Sequence, residues 1–309
     1  MATQILCIAG PTASGKSARA VEEALIRSGE IISVDSRQVY RGLDIGTEKI
    51  TAEEMRGVPH HLINIREVDE NYSAGDFVKD ASRLIEEIYS RGKLPILVGG
   101  THFYFDALLN GLPDGVDANP ELREKLEKVT TEELYAQVVE RDPRRAEELD
   151  PNNRRRLIRA LEIIESFGHV PPRSLPTPPF DPRFNLGKYK RSFNPRFDLG
   201  KYEVEWTVID PPKEELRKRI DARLAGALDR GLIEEVKNVR EKFGDARLNE
   251  LGLEYKIVGE YLSCSAKATQ DAESFRNELL RKLSAKLWHY ARRQKAWLRK
   301  LSLNATTPK

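Results

Sequence analysis

Apolar positions along the first third of the chain follow two alternating patterns. Ile5-Leu6-Cys7-Ile8-Ala9, Glu30-Ile31-Ile32-Ser33-Val34-Asp35, His61-Leu62-Ile63-Asn64-Ile65 and Leu94-Pro95-Ile96-Leu97-Val98-Gly99-Gly100 are short, nearly continuous apolar runs. Such runs read as strands buried on both faces. Between them the apolar residues spread to helical spacing. Ala18 to Ile26 is helix-like, Ala74 to Arg91 places Phe77, Ala81, Leu84, Ile85 and Ile88 on one face, and a further helix is expected from Phe103 to Leu109. Strands separated by helices predict an α/β fold, a parallel sheet flanked by helices with ligands at the carboxyl ends of its strands. Those ends carry residues 10–17, Asp35-Ser36 and Gly99-Gly100-Thr101.

The texture changes at Gly111-Leu112-Pro113-Asp114-Gly115. From Asn119 to about Phe167 the pattern is helical and highly charged, and a Pro-rich stretch runs from Val170 to Pro182. The block Pro182-Arg183-Phe184-Asn185-Leu186-Gly187-Lys188-Tyr189 recurs as Pro195-Arg196-Phe197-Asp198-Leu199-Gly200-Lys201-Tyr202. Two copies are too few for a solenoid, and the repeat has no functional assignment. Val204 to Ile209 reads as a strand that rejoins the first sheet, and Glu214 to Leu301 is mainly helix. The expected organisation is a phosphate-loop core of residues 1–115 and 204–309, ending in a helical segment, with a mainly helical domain inserted at 116–203.

The loop after the first strand is Gly10-Pro11-Thr12-Ala13-Ser14-Gly15-Lys16-Ser17. It matches G-x-x-x-x-G-K-[ST], in the strand–loop–helix context that the motif requires. Glycines let backbone N–H groups curl around phosphate oxygens, and the helix N-terminus adds positive potential. Lys16 brings a full charge to the outer phosphates, and Ser17 offers a hydroxyl to Mg²⁺. The loop admits the phosphates of ATP as well as other diphosphates. A nucleoside triphosphatase usually ends a later strand with an acid that holds Mg²⁺. Here that strand ends Val98-Gly99-Gly100-Thr101, and the available carboxylate is Asp35 on the same sheet edge. Asp35 can take a proton from a nucleophile or help hold a metal; an Asx turn closing its strand is the alternative.

Composition narrows the class. With 309 residues, 39% apolar and 32% charged, a soluble globular protein is expected. No run approaches the ~20 apolar residues of a membrane span, and the N-terminus lacks a secretory pattern, so a cytoplasmic protein is expected. The two cysteines, Cys7 and Cys264, suit a reducing compartment and give little support for a zinc site. His60 and His61 read as hydrogen-bonding core residues rather than metal ligands. Net charge is only +2, yet residues 276–309 hold ten lysines and arginines against one acid, Glu278. Arg154-Arg155-Arg156 with Arg159 forms a second cluster. Such surfaces suit a polyanion, nucleic acid above all, or are solvated helix faces. In the last helix Leu280, Leu283, Leu287, Ala291, Leu298 and Leu301 make an apolar stripe, opposite Lys282, Lys286, His289, Arg293 and Lys300.

Several segments occur in a telling order: residues 10–17, Asp35-Ser36-Arg37-Gln38-Val39-Tyr40, Gly57-Val58-Pro59-His60-His61-Leu62 and Ser73-Ala74-Gly75-Asp76-Phe77. Leu94 to Thr101, Asp150 to Glu162 and Ala291-Arg292-Arg293-Gln294-Lys295-Ala296-Trp297-Leu298-Arg299 follow. Together, over nearly the whole chain, they resemble the bacterial tRNA dimethylallyltransferases of the tRNA isopentenyltransferase family. Two features depart from that pattern: His102-Phe103 after Thr101, where the family usually has Gly-Leu, and the repeated block.

The resemblance implies transfer of a dimethylallyl group from dimethylallyl diphosphate to the exocyclic amine of an adenosine beside the anticodon of tRNA, with Mg²⁺ assisting and diphosphate leaving. It makes Asp35 the base and Thr12 and Arg223 catalytic, with Arg219 the alternative to Arg223. Gly10, Pro11, Thr12, Ala13, Ser14, Gly15, Lys16 and Ser17 hold the diphosphate, with Ser17 on Mg²⁺. The implied tRNA contacts are Asp35, Ser36, Arg37, Gln38, Thr101, Arg123, Arg155, Arg156, Leu157, Ile158 and Arg159. The partner is the anticodon stem-loop, and a monomer is expected. Such chemistry suits these residue types: a diphosphate leaving group needs N–H donors and cations, an adenine amine gains from a base, and a base in a folded loop must first be extruded. Gln38 matches adenine's donor–acceptor edge. Two rival readings remain: an adenylate isopentenyltransferase acting on free adenine nucleotides, with less use for the arginine-rich insertion, and a nucleotide-binding regulator that grips RNA without turnover.

Overall fold

The computed structural model describes residues 3–111, 119–170, 202–265 and 272–303. Five strands form one wholly parallel sheet: β1 (Thr3–Ala9), β2 (Gly29–Val34), β3 (His60–His61), β4 (Leu94–Gly99) and β5 (Tyr202–Val208), in the order β3-β2-β4-β1-β5. The helices are α1 (Lys16–Arg27), α2 (Ala52–Met55), α3 (Ala74–Ser90), α4 (His102–Asn110), α5 (Pro120–Glu127), α6 (Thr131–Arg141), α7 (Pro143–Glu147), α8 (Arg154–Phe167), α9 (Lys213–Asp229), α10 (Leu232–Leu251), α11 (Leu253–Ser265) and α12 (Ala272–Leu303). Among the described residues no helix is long and apolar enough to cross a membrane.

The central strands are apolar because both faces are covered. Ile5, Leu6, Ile8, Ile31, Ile32, Ile96 and Leu97 are all buried, each contributing about 1.5–3 kcal/mol of burial. α3 shows how local signals agree: Ser73 and Asp76 form a reciprocal capping box at its start, and Phe77, Val78, Ala81, Leu84, Ile85 and Ile88 face inward. β5 pairs with β1 along its full length, Thr3 with Tyr202 through Ala9 with Val208, so the strand expected to rejoin the sheet does so. β3 is a correction. The run His61–Ile65 was expected as a strand, but the ladder with β2 covers only His60 and His61. Leu62 and Asn64 take left-handed backbone angles, which no extended strand tolerates.

The described residues fall into two compact units, Met1–Gly111 with Pro179–Lys309, and Leu112–Pro178. The second unit has its own core, in which Leu134, Val138, Leu157, Leu161 and Ile164 pack together. The Pro-rich stretch after Val170 and the repeated block up to Lys201 lie outside the described residues.

α12 refines the expected stripe. Leu279, Leu283, Leu287, Ala291 and Leu298 are buried, Leu279 taking the inward position expected of Leu280. Gln294 is buried among them at 3% exposure. Lys282, Lys286, His289 and Arg293 are exposed on the other face. The side chains of Lys300 and Leu301, and that of Cys264, lie outside the described ones.

Candidate active site

The carboxyl edge of the sheet gathers three loops. The first joins β1 to α1. Gly15 precedes the helix at φ 88°, in the left-handed region, and starts it without a side-chain cap. The first N–H groups of α1 therefore lack intrahelical partners and face outward as an anion site. Lys16 donates to Pro11 O at 3.3 Å. Burial pushes its ammonium down to about 8; Asp35 pulls it back up and Arg223 pushes it further down. The Ser14 hydroxyl is buried without a protein partner, and Ser17 is exposed. Both leave donor and acceptor capacity open beside the loop.

The second loop follows β2. Asp35 Oδ1 accepts from Arg37 N at 2.8 Å and from Gln38 N at 3.2 Å. This is the Asx turn that was the alternative reading, and the half-buried carboxylate keeps its second oxygen out of these two bonds. Turn and base are compatible roles, since they use different oxygens. The third loop follows β4. Thr101 Oγ1 accepts from Ser36 N at 3.3 Å, which ties the second and third loops together.

α9 closes the site from another side. Arg223 Nη1 donates to the Thr12 hydroxyl. Its Nε donates to Glu48 at 3.0 Å, and its Nη2 donates to Gly46 O at 3.2 Å and Glu254 at 3.3 Å. Arg219 Nη1 donates to Ser14 O at 3.0 Å. Of the two candidates, Arg223 is thus the one that meets a side chain of the loop, Thr12, and Arg219 braces the loop backbone. Glu254 is 6% exposed. Burial raises its pKa, and Arg223 opposes the rise.

The family model described as IPP transferase matches residues 38–301. The chain belongs to the IPP transferase family. It is 40% identical over 304 residues to the tRNA dimethylallyltransferase 1 of Trichlorobacter lovleyi, covering 97% of this chain and 92% of that protein. To the tRNA dimethylallyltransferase of Thermomicrobium roseum it is 37% identical, over 96% of this chain and 84% of that protein. Among solved structures it is similar to the full-length tRNA isopentenylpyrophosphate transferase of Bacillus halodurans, at 34% identity and TM-score 0.64, over 96% of this chain and 86% of that one. It is also similar to a eukaryotic dimethylallyltransferase acting on tRNA, at 27% identity and TM-score 0.74, over 96% of this chain and 70% of that one.

The remaining sequence-derived site residues of this IPP transferase fall into two groups. Beside the loops, Arg37 donates to Glu250 O at 2.8 Å. The Gln38 amide is engaged internally: Nε2 donates to Thr47 O at 3.2 Å and Glu48 O at 3.3 Å, and Oε1 accepts from Ser33 at 3.1 Å. Its position next to Asp35 is as expected, but its hydrogen-bonding edge braces residues 47–48 instead of standing open for adenine. In the helical unit, Arg155 and Arg156 are exposed at the start of α8. Arg123 and Arg159 are paired within the unit. Arg123 makes a bidentate pair with Glu162 at 2.7 and 2.9 Å, and Arg159 joins the same carboxylate at 3.2 Å. Glu162 is 1% exposed, so it must be paired to stay charged. Leu157 and Ile158 are buried in the core of the unit, which leaves only their backbone for contact with RNA.

His60 and His61 make the hydrogen bonds expected of them. His60 Nδ1 bonds Val58 O and His61 Nε2 bonds Glu30, each at 2.8 Å. Trp297 stacks flat on His102 with centroids 4.3 Å apart, and Trp288 lies under Arg217. Trp297 therefore packs against the very residue that departs from the family pattern.

Sequence reasoning missed Glu48, Glu254 and Gln294. Gln294 did leave a signal, a polar residue at a position where the apolar period of α12 calls for a hydrophobe. Glu48 and Glu254 left none, because nothing local links them to an arginine on another helix.

Proposed function

We propose that this IPP transferase moves a dimethylallyl group from dimethylallyl diphosphate to the exocyclic amine of an adenosine beside the anticodon in tRNA. The observation that carries the reading is the gathering of three loops at one edge of the sheet: Arg223 donates to Thr12 in the phosphate loop, Gln294 links that loop to Gly100, and Thr101 is bonded to Ser36 beside Asp35. The N–H groups that open α1, the Lys16 ammonium and the Arg223 guanidinium face the charge that grows on the leaving diphosphate. The free oxygen of Asp35 accepts the proton of the attacking amine. One N–C bond forms, the allylic C–O bond breaks, and the electron pair leaves with diphosphate.

The loop also fits Mg²⁺. The available donor is the Ser17 hydroxyl oxygen, a hard ligand of the kind this ion prefers. Among the described residues no group of three or more His, Cys, Asp or Glu could hold a metal. Water and diphosphate oxygens would therefore complete the coordination. When bound, the ion neutralises charge on the diphosphate.

Arg155 and Arg156, exposed at the start of α8, and the exposed cations of α12 favour an RNA acceptor over a free nucleotide. The test is a single assay with two acceptors. Full-length protein, dimethylallyl diphosphate and Mg²⁺ are incubated with unmodified tRNA or with AMP. Prenyl-adenosine in digested tRNA is expected. Transfer to AMP alone would give the adenylate reading its place, and no transfer to either acceptor would leave RNA binding without catalysis.

A further inference from the structure

Gln294 joins the last long helix to two of the three site loops. Its Oε1 accepts from Thr12 N at 2.8 Å, and its Nε2 donates to Gly100 O at 2.8 Å. Both bonds are buried. The two backbone groups need opposite partners, Thr12 an acceptor and Gly100 a donor. A primary amide offers both at once, with no change of protonation state. The approach is close as well: a Cβ on Gly100 would stand 2.5 Å from Gln294 Nε2.

The bond at Thr12 has a consequence for the phosphate loop. Its N–H is spent on Gln294 and is not part of the anion-facing set. The residue is thereby fixed from behind, while its hydroxyl receives Arg223. Without the amide, the Thr12 N–H and the Gly100 carbonyl would both be buried and unpaired. Either the loop would turn to regain a partner or both groups would stay unsatisfied.

We propose that Gln294 is a positioning residue for the allylic diphosphate. It sets the phosphate loop at Thr12, and with it the meeting of Thr12 and Arg223, without touching the substrate. The proposal rests on the reading of this loop as a diphosphate site.

Gln294→Met in the full-length protein keeps length and volume but makes neither bond. Inorganic diphosphate binding is measured by calorimetry in the presence of Mg²⁺. Steady-state KM is measured separately for dimethylallyl diphosphate and for tRNA. Diphosphate affinity is expected to fall about tenfold, equivalent to about 1.4 kcal/mol, with a matching rise in KM for the allylic donor. KM for tRNA stays near the wild-type value. Wild-type diphosphate affinity in the folded variant, or an equal rise in both KM values, would overturn the proposal. Gly100→Ala displaces the amide from the other side and decides alone if the Met variant does not fold. Combined with Gln294→Met it should lose no more affinity than either single change, and additive losses would also overturn the proposal. Wild-type protein that binds diphosphate without prenylating either acceptor would remove the functional reading while leaving the Gln294 comparison intact.

Discussion

Asparagine at position 35 separates the two oxygens of a carboxylate by role. Asp35 Oδ1 accepts from Arg37 N at 2.8 Å and Gln38 N at 3.2 Å, and Asp35→Asn retains a carbonyl oxygen for both. Stability of that variant should stay within about 0.5 kcal/mol of wild type. Asp35→Ala removes the acceptor that both N–H groups share in a half-buried turn and should cost about 1–2 kcal/mol. Neither replacement can take a proton from an adenine amine. In both, the single-turnover rate should fall by about 10²–10⁴, the usual worth of a positioned base, or about 3–5 kcal/mol of transition-state stabilisation. The assay is rapid quench of enzyme saturated with tRNA and dimethylallyl diphosphate, scored as prenyl-adenosine, with urea denaturation run in parallel. A rate for the Asn variant within about threefold of wild type would refute Asp35 as the base. An Asn variant as unstable as the Ala variant would refute the division of labour between the two oxygens.

Three further outcomes are expected. Arg223→Ala leaves the buried Glu254 without its cation, so stability should drop by about 3–5 kcal/mol near neutral pH. Because burial already raises the Glu254 pKa, the deficit should shrink in acid, where a neutral carboxyl is easier to bury, and Glu254→Gln should restore part of it in urea titrations. Lys16, held near 8, binds anions only as the ammonium. Diphosphate affinity measured by calorimetry should therefore decline as pH rises through that value, with proton uptake on binding above it, and Lys16→Arg should flatten the profile. Glu162 is pushed up by burial, but the Arg123 bond, the Asn119 N–H and Arg159 bring its net pKa below the usual 4.5. A depressed folded value gives stability that is present above the unfolded pKa and lost as pH falls through the folded one. Acid denaturation followed by circular dichroism should show this loss in wild type, while Glu162→Gln removes the acid dependence and costs about 1–3 kcal/mol at neutral pH.

Much of the fold was legible because local and global signals agreed. The apolar runs became β1, β2 and β4 within a residue or two, and the spacing of Phe77, Ala81, Leu84, Ile85 and Ile88 became the inward face of α3. The expected third strand failed after His61, where positive backbone angles at Leu62 and Asn64 turn the chain. Apolar composition is shared by strands and by buried loops, so the run alone could not distinguish them. The phosphate loop and Asp35 were legible because each is a short segment with fixed spacing. The pairing of Arg123 and Arg159 with Glu162 was not legible, since it depends on a helix packing that no local pattern encodes.

The chain's own order of residues settled the alternation of strands and helices, the phosphate loop, the placement of Asp35 at a strand end and the basic faces of α8 and α12. These depend on periodicity and short spacing, which backbone geometry reads within a few residues. Tertiary structure alone decided which cations stay open and which are consumed. It turned Gln38 inward, set Arg223 among Thr12, Glu48 and Glu254, and placed Gln294 between Thr12 and Gly100 across 282 and 194 residues of chain. Buried polar groups must find partners wherever the fold brings them, and a partner that distant in sequence leaves no trace in local pattern.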